Sequence, residues 1–247
     1  MNELALRGAA EVPHPTRWLL RAGRPAVRAL VRRRIAVLVH GAENHPVGPA
    51  IVAANHIGWA DGPLLAIFGP RPVHALTKAE MFAGAMGPFL RCSGQIRLDR
   101  FNVDPGAVRA CVRVLEADGV VGVFPEGHRG AGDLTRFHRG AAYLALLTGS
   151  PVVPVTVLGT RAPGAGSSSL PPRGGQVELV YGAPWATEAV PWPRTKQQVA
   201  ASSLALRDHM LTELAAALRL TGRSLPGPLP PGDTEDDPNT GVVEQGA

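Results

Sequence analysis

The sequence predicts an α/β protein in which one mixed, mostly parallel central sheet is flanked by helices, all within a single domain. Two observations carry that prediction. Short β-branched runs alternate with stretches of helical pattern from Ile35 to Leu220, the order that places helices over both faces of a sheet. The chain is also long enough, at 247 residues with 45% hydrophobic and 18% charged residues, for one α/β domain with a large core, or for two small ones.

The elements follow in order. Residues 16–34 are arginine-rich, and Arg17, Arg21, Arg24, Arg28 and Arg32 fall at helical spacing on one stripe, opposite Leu19, Ala22, Ala26 and Leu30. Pro25 kinks or divides that helix. Residues 1–34 therefore read as a basic amphipathic helical segment, whose stripe is either a solvated face or a surface for anionic lipid. Strands are predicted at 35–41 (IAVLVHG) and 49–56 (PAIVAANH), then a helix near 62–68. A strand at 71–78 (RPVHALTK), a helix near 79–90, a strand at 95–100 (QIRLDR) and a helix near 105–116 come next. Residues 120–127 (VVGVFPEG) are a buried strand running into a turn, followed by a helix near 140–148 and a strand at 151–159 (PVVPVTVLG). Residues 161–176 have loop composition, 176–185 form a late strand, and 196–220 form a helix with Leu204, Leu211, Leu214 and Leu218 on one stripe. Residues 35–220 are thus the main domain. Residues 221–247, rich in Pro, Gly and acid, read as a disordered tail.

Charge restricts the partners. The net +5 conceals an asymmetry: five of the 20 acidic residues lie after Leu225, where there is no Lys or Arg. Residues 1–225 hold all 25 basic residues against 15 acidic ones, a net +10. Such a domain prefers phosphates, nucleic acid or acidic lipid surfaces. Nucleic acid is disfavoured, because no aromatic residues are interleaved with the arginines and no base-reading motif follows. Two cysteines, Cys92 and Cys111, make no disulfide framework or metal spacing and are expected as small buried side chains in a reducing compartment. The N-terminus lacks the basic start and apolar stretch of a signal peptide, and no segment has the apolar length of a spanning helix. The expectation is a protein that is soluble or rests on a surface.

Four stretches could carry chemistry. His56 and Asp61 stand five positions apart at the C-terminal end of a predicted strand, where α/β proteins build their sites. Taken alone, Asp61 before Gly62-Pro63 also reads as a helix N-cap, and His56 as a turn residue. Residues 94–100 (GQIRLDR) end a strand on Arg100. Residues 124–130 (FPEGHRG) take a strand into Pro125-Glu126-Gly127 and a basic pair, and residues 152–159 are an apolar strand interrupted by Pro154. An arginine at a strand end can be a surface ion pair, and Pro-Glu-Gly can be a plain turn.

In this order and spacing the four stretches resemble the glycerophosphate acyltransferase family, which contains the 1-acyl-glycerol-3-phosphate acyltransferases. The family's Asn-His-x4-Asp block resembles Asn55–Asp61, its Gly-x-Ile block ending in Arg resembles Gly94–Arg100, its Phe-Pro-Glu-Gly-x-Arg block resembles Phe124–Arg129, and its Val-Pro block resembles Val153–Val155. Residues 78–82 (KAEMF) resemble the segment usual between the first two blocks, and the likeness runs over about residues 35–185. Two positions depart: Gly58 stands where the family often has Ser, and His128 where it usually has Thr or Ser.

The resemblance implies transfer of a fatty acyl group from acyl-CoA or acyl-carrier protein to the free hydroxyl of 1-acyl-glycerol 3-phosphate. His56 would be the general base and Asp61 its orienter. The acceptor hydroxyl attacks directly, with no acyl-enzyme, and Gly58 leaves no serine beside the histidine. Arg100 and Arg129 would grip the acceptor phosphate bidentately, with help from Lys78. Glu126 and Gly127 belong to the acceptor-binding block, where Glu126 would bond an acceptor hydroxyl or hold Arg129. No cofactor and no metal is implied. Partners are the acyl thioester, a lysophospholipid acceptor and an anionic membrane surface, which implies a cytoplasmic protein, peripheral on the inner face of the cell membrane. Another lysophospholipid or an amino-lipid remains open as acceptor, and from a different class a lipid-binding protein without turnover.

Overall fold

Apolar β-branched runs bounded by Gly, Pro and Asn form the strands of a seven-stranded sheet in the computed structural model, which describes residues 12–16 and 18–233. The strands are β1 (Ala36–His40), β2 (Ala50–Ala54), β3 (Val73–Lys78), β4 (Ile96–Leu98), β5 (Val120–Val123), β6 (Val152–Leu158) and β7 (Gln176–Tyr181). Their spatial order is β1-β7-β6-β2-β5-β3-β4. Every neighbouring pair is parallel except β6 with β7. The helices are α1 (Arg24–Arg32), α2 (Asp61–Phe68), α3 (Ala79–Ala83), α4 (Gly87–Cys92), α5 (Pro105–Glu116), α6 (Gly140–Thr148) and α7 (Lys196–Thr221). The mixed, mostly parallel α/β architecture expected from the alternation is the one observed.

Alternation along β2 divides the core. Ile51 and Ala53 face a cluster containing Cys111, Val114, Leu115, Phe137, Leu206 and Met210, under α5, α6 and α7. Ala50, Val52 and Ala54 face the opposite cluster, with Leu64, Leu65, Phe68 and Tyr181. A strand covered on both faces has no polar side, so all of β2, β5 and β6 is buried. Burial pushes the Cys111 thiol up to about 12, so it packs as an apolar group. Cys92 is exposed instead, against expectation, because it closes the short α4 at the surface.

Four further expectations need correction. The single helix near 79–90 is two, because Gly84 turns extended after α3 and Pro88 opens α4. The inward side of α7 runs through Ser203, Leu206, Arg207, Met210, Leu214 and Ala217, with Arg207 Nε donating to the Leu134 carbonyl at 2.7 Å. A stripe drawn from leucines alone misses two polar residues that are buried because they have partners.

The arginine stripe is the third. Arg17 lies outside the described residues, but Arg24 and Arg28 point into the protein. Arg28 donates to Ile67 O at 2.7 Å and to Gly69 O at 3.0 Å, and Arg24 donates to the same two carbonyls. Two guanidinium groups therefore occupy the carbonyl end of α2, where the helix dipole favours cations. Burial and the neighbouring Arg28 lower Arg24 to about 10. Part of the segment's apolar surface faces outward: Trp18 is 61% and Leu30 65% exposed, and Ala22, Ala26 and Ala29 are exposed with them, while Leu20 is buried.

The fourth concerns the tail. Residues 234–247, with Glu235, Asp236, Asp237 and Glu244, lie outside the described residues, but residues 223–233 fold back onto the domain. Arg223 Nε donates to Glu178 at 2.7 Å, Leu225 packs on the core, and Asp233 accepts from Ser167 N at 2.6 Å and Ser167 Oγ at 2.9 Å. Composition registers the prolines and acids there, not the partners waiting for them.

Candidate active site

The site forms where β2 and β5 end side by side. Asn55 follows β2, and its side chain extends the sheet: Nδ2 donates to Val157 O at 3.2 Å, and Oδ1 accepts from Val157 N at 2.7 Å. An amide has the donor and acceptor of a peptide group, so Asn55 pairs with β6 as another strand residue would while the main chain turns away. The next residue is His56.

Asp61 opens α2 and is completely buried. Its carboxylate does not cap the helix but reaches back over the preceding turn. Oδ2 accepts from His56 Nδ1 at 2.8 Å, Ile57 N at 2.7 Å and Gly58 N at 2.8 Å, while Oδ1 accepts from the Thr160 hydroxyl. The two backbone donors hold the turn around the carboxylate, so its geometry toward the ring is set before any ligand arrives. The His56 ring stacks on Phe124, with centroids 4.2 Å apart and planes at 26°, and its side chain is 17% exposed. With Nδ1 taken by Asp61, Nε2 is the ring nitrogen left for a proton from outside.

Glu126 is buried, and its Oε1 accepts from His56 N at 2.8 Å. Burial raises its carboxyl to about 8, against the pull of backbone donors at His56 and Gly132. Its carboxyl group fastens the histidine's backbone, a role that the sequence did not suggest. Gly127 turns the chain at φ 73°, and a Cβ there would lie 2.5 Å from His138 Nε2, so only glycine fits. His128 Nδ1 contacts Glu126 O at 2.9 Å and fills the turn.

Arg129 sits in the loop after β5, which Arg100 reaches from the end of β4. Arg100 Nη1 donates to Gly127 O at 3.1 Å, and Arg129 Nη1 donates to Ser167 O at 3.2 Å. Burial lowers Arg129 and the Arg100 charge adds to this, while Asp233 and Asp61 pull it back up. Lys78 ends β3 and pairs in register with Leu98, two residues before Arg100. An apolar cavity of about 250 Å³ opens beside Arg100 and Gly127 and reaches past Phe124 to Cys111, Tyr143 and Leu144. Among the described residues, no group of three or more His, Cys, Asp or Glu is arranged to hold a metal ion.

Sequence reasoning thus found His56, Asp61, Arg100, Glu126, Gly127 and Arg129 on adjoining loops, with Lys78 at the neighbouring strand end. It missed Asn55 as the residue that aims the histidine, and Thr160 and Arg161 altogether. Asn55 could have been found, because a polar residue ending the apolar run 50–54 must meet a partner. Nothing local marks Thr160.

Strands with helices on both faces, and a histidine–carboxylate pair beside two arginines, agree with a comparison against known families. Residues 36–158 match the family model described as Acyltransferase, a span that runs from β1 through β6. Those residues therefore form an acyltransferase-family domain, and the motifs within it resemble the glycerophosphate branch. The chain is 28% identical over 188 residues to the 1-acyl-sn-glycerol-3-phosphate acyltransferase of Bacillus subtilis, covering 75% of this chain and 92% of that protein. It is 32% identical over 132 residues to the protein of the same name from Borreliella burgdorferi, covering 51% of this chain and 52% of that one. The fold matches the crystal structure of the 1-acyl-sn-glycerophosphate (LPA) acyltransferase from Thermotoga maritima, with a TM-score of 0.63, 22% identity, and coverage of 90% and 88% of the two chains.

Proposed function

We propose that this acyltransferase moves a fatty acyl group from acyl-CoA or acyl-carrier protein to the free hydroxyl of 1-acyl-glycerol 3-phosphate, giving phosphatidate. The observation that carries the reading is the ordered pair His56–Asp61, at 2.8 Å, next to the loop that carries Arg129 and accepts a hydrogen bond from Arg100. A general base beside two guanidinium groups suits a substrate that carries both a hydroxyl and a phosphate.

The steps follow from that geometry. Arg100 and Arg129 take the phosphate and so hold the acceptor hydroxyl at Nε2 of His56. His56 removes the hydroxyl proton as the oxygen attacks the thioester carbonyl, and Asp61 stabilises the imidazolium that forms. Collapse of the tetrahedral intermediate breaks the C–S bond, and the imidazolium returns its proton to the departing sulfur. The apolar cavity beside Phe124 suits an acyl chain. Gly58 agrees with direct attack, since no hydroxyl stands at that position.

The substrate and product are lipids, so the site must work at a bilayer. No helix among the described residues is long and apolar enough to cross one. Trp18 and Leu30 face outward on the N-terminal segment, while Trp59, Leu170, Arg33, Arg34 and Arg173 line a groove with Leu30 on that side. An apolar face rimmed by arginines suits anionic headgroups on a cytoplasmic leaflet. This inverts the sequence-based expectation for Arg24 and Arg28, whose contacts are internal.

The reading is tested by giving the purified protein labelled acyl-CoA or acyl-carrier protein with a panel of acceptors: 1-acyl-glycerol 3-phosphate, other lysophospholipids and an amino-lipid. Labelled phosphatidate is the expected product. Transfer to another acceptor alone would move the assignment within the family, and transfer to none would favour a lipid-binding protein.

A further inference from the structure

Thr160 and Arg161 follow β6 directly and are buried, Thr160 completely and Arg161 to 2% exposure. Neither belongs to the stretches that carry the family resemblance. The Thr160 hydroxyl donates to Asp61 Oδ1, the carboxylate oxygen facing away from His56. Arg161 donates to four carbonyls from four parts of the chain: Nε to Ile57 O at 2.7 Å, Nη1 to Ala165 O at 3.0 Å, Nη2 to Gly130 O at 2.9 Å, and Nη2 to Gly227 O. Ile57 lies in the turn between His56 and Asp61, and Gly130 follows Arg129.

A planar guanidinium with five donors can bridge several carbonyls at once, which an ammonium cannot do in the same geometry. A side chain this large and this buried is kept where its donors find partners, and four hydrogen bonds do that here. Its charge also balances the carboxylate of Asp61, to which it is electrostatically coupled. The two residues touch both halves of the site from a third strand.

We infer that Thr160 and Arg161 are a positioning pair: Thr160 fixes the far oxygen of Asp61, and Arg161 ties the histidine turn to the arginine loop. Thr160 thereby sets how Asp61 meets the His56 ring. Arg161 sets the distance between the base and the group that holds the acceptor. The titratable and charged groups that face Asp61 are His56 on its own turn, Glu126 and Arg129 after β5, and Arg161 after β6. Removing the Thr160 hydroxyl leaves all of them in place and concentrates the carboxylate charge toward the ring.

The inference rests on the proposed function for its kinetic arm and is independent of it for its spectroscopic arm. Thr160→Val keeps the shape and removes the hydroxyl, while Thr160→Ser keeps the hydroxyl. In the intact chain, Thr160→Val should lower kcat roughly tenfold to a hundredfold with acceptor KM within about twofold, the loss expected for a hydrogen bond to a charged group. Thr160→Ser should restore most of it. Arg161→Lys should instead raise acceptor KM, because the Arg129 loop is no longer tied to the histidine turn. By nuclear magnetic resonance, the midpoint of the His56 ring titration should move to higher pH in Thr160→Val than in the parent, and back in Thr160→Ser. If Thr160→Val does not fold, Thr160→Ala compared with Thr160→Ser makes the same test without the added methyl. An unmoved titration midpoint, or a serine variant as impaired as the one without a hydroxyl, would overturn the inference. A parent protein that transfers to no acceptor would remove the proposed function, and the titration would still decide the role of Thr160.

Discussion

Glu126→Gln should change the pH dependence of stability more than any other single substitution at the site. The carboxyl is buried and raised from 4.5 to about 8, so the folded state holds its proton more tightly than the unfolded chain does. For a group shifted in that direction, the stabilisation is fully present below the unfolded value and is lost as pH rises through the folded one. The window therefore runs from about pH 4.5 to about pH 8. At about 1.4 kcal/mol per unit, the shift corresponds to roughly 3–5 kcal/mol. Glutamine keeps an oxygen for the His56 N–H and cannot ionise. Its amide NH2 facing the Gly132 N–H costs about 1–3 kcal/mol at any pH, so the comparison must be a double difference. Urea unfolding of both proteins at about pH 5 and about pH 9 supplies it. The gain in stability of Glu126→Gln over the parent should be larger at the higher pH by roughly 3–5 kcal/mol. A difference between the two proteins that is the same at both pH values would refute the argument that burial dominates at Glu126.

Three further outcomes are expected. Asp61→Asn can keep the turn, with its oxygen toward Ile57 N and Gly58 N and its NH2 toward Thr160, but it removes the charge that stabilises the imidazolium. Steady-state kcat should fall roughly a thousandfold or more, with acceptor KM little changed. Gly58→Ser should be tolerated, because a Cβ there would meet Thr160 Oγ1 and Arg161 Cβ at 3.4 Å, an ordinary contact; pre-steady-state assays should give no acyl-enzyme burst. The double variant Trp18→Glu/Leu30→Glu should lose most flotation with vesicles rich in anionic lipid, while Arg24→Gln should lose stability in thermal melts rather than flotation.

Much of the fold was legible because the strands of a doubly covered sheet are written as local apolar runs, such as 120–123 and 152–158. The site was legible to the extent that its residues sit in short stretches at strand ends: His56 with Asp61, and Glu126 with Arg129. What could not be read depends on contacts between residues far apart in the chain. Arg24 and Arg28 fall on a regular stripe whether it faces lipid or the carbonyl end of α2, and the spacing is identical in both cases. Arg161 meets carbonyls 104, 31 and 66 positions away, and none of them leaves a mark beside it. The segment after Thr221 resembles a solvated tail in composition, yet Leu225 and Asp233 find partners on the domain. Polar residues are buried where partners exist, and a linear pattern carries no record of partners.

The central claim is that His56 acts on the acceptor's own hydroxyl. Its most direct test is single-turnover acyl transfer from labelled acyl-CoA or acyl-carrier protein to 1-acyl-glycerol 3-phosphate, with the parent and His56→Ala compared at saturating acceptor. The account predicts labelled phosphatidate from the parent, a loss of roughly a thousandfold or more in the variant, and no label on the protein in either. Transfer at the parent rate by His56→Ala, or a covalent acyl-protein on the pathway, would contradict it.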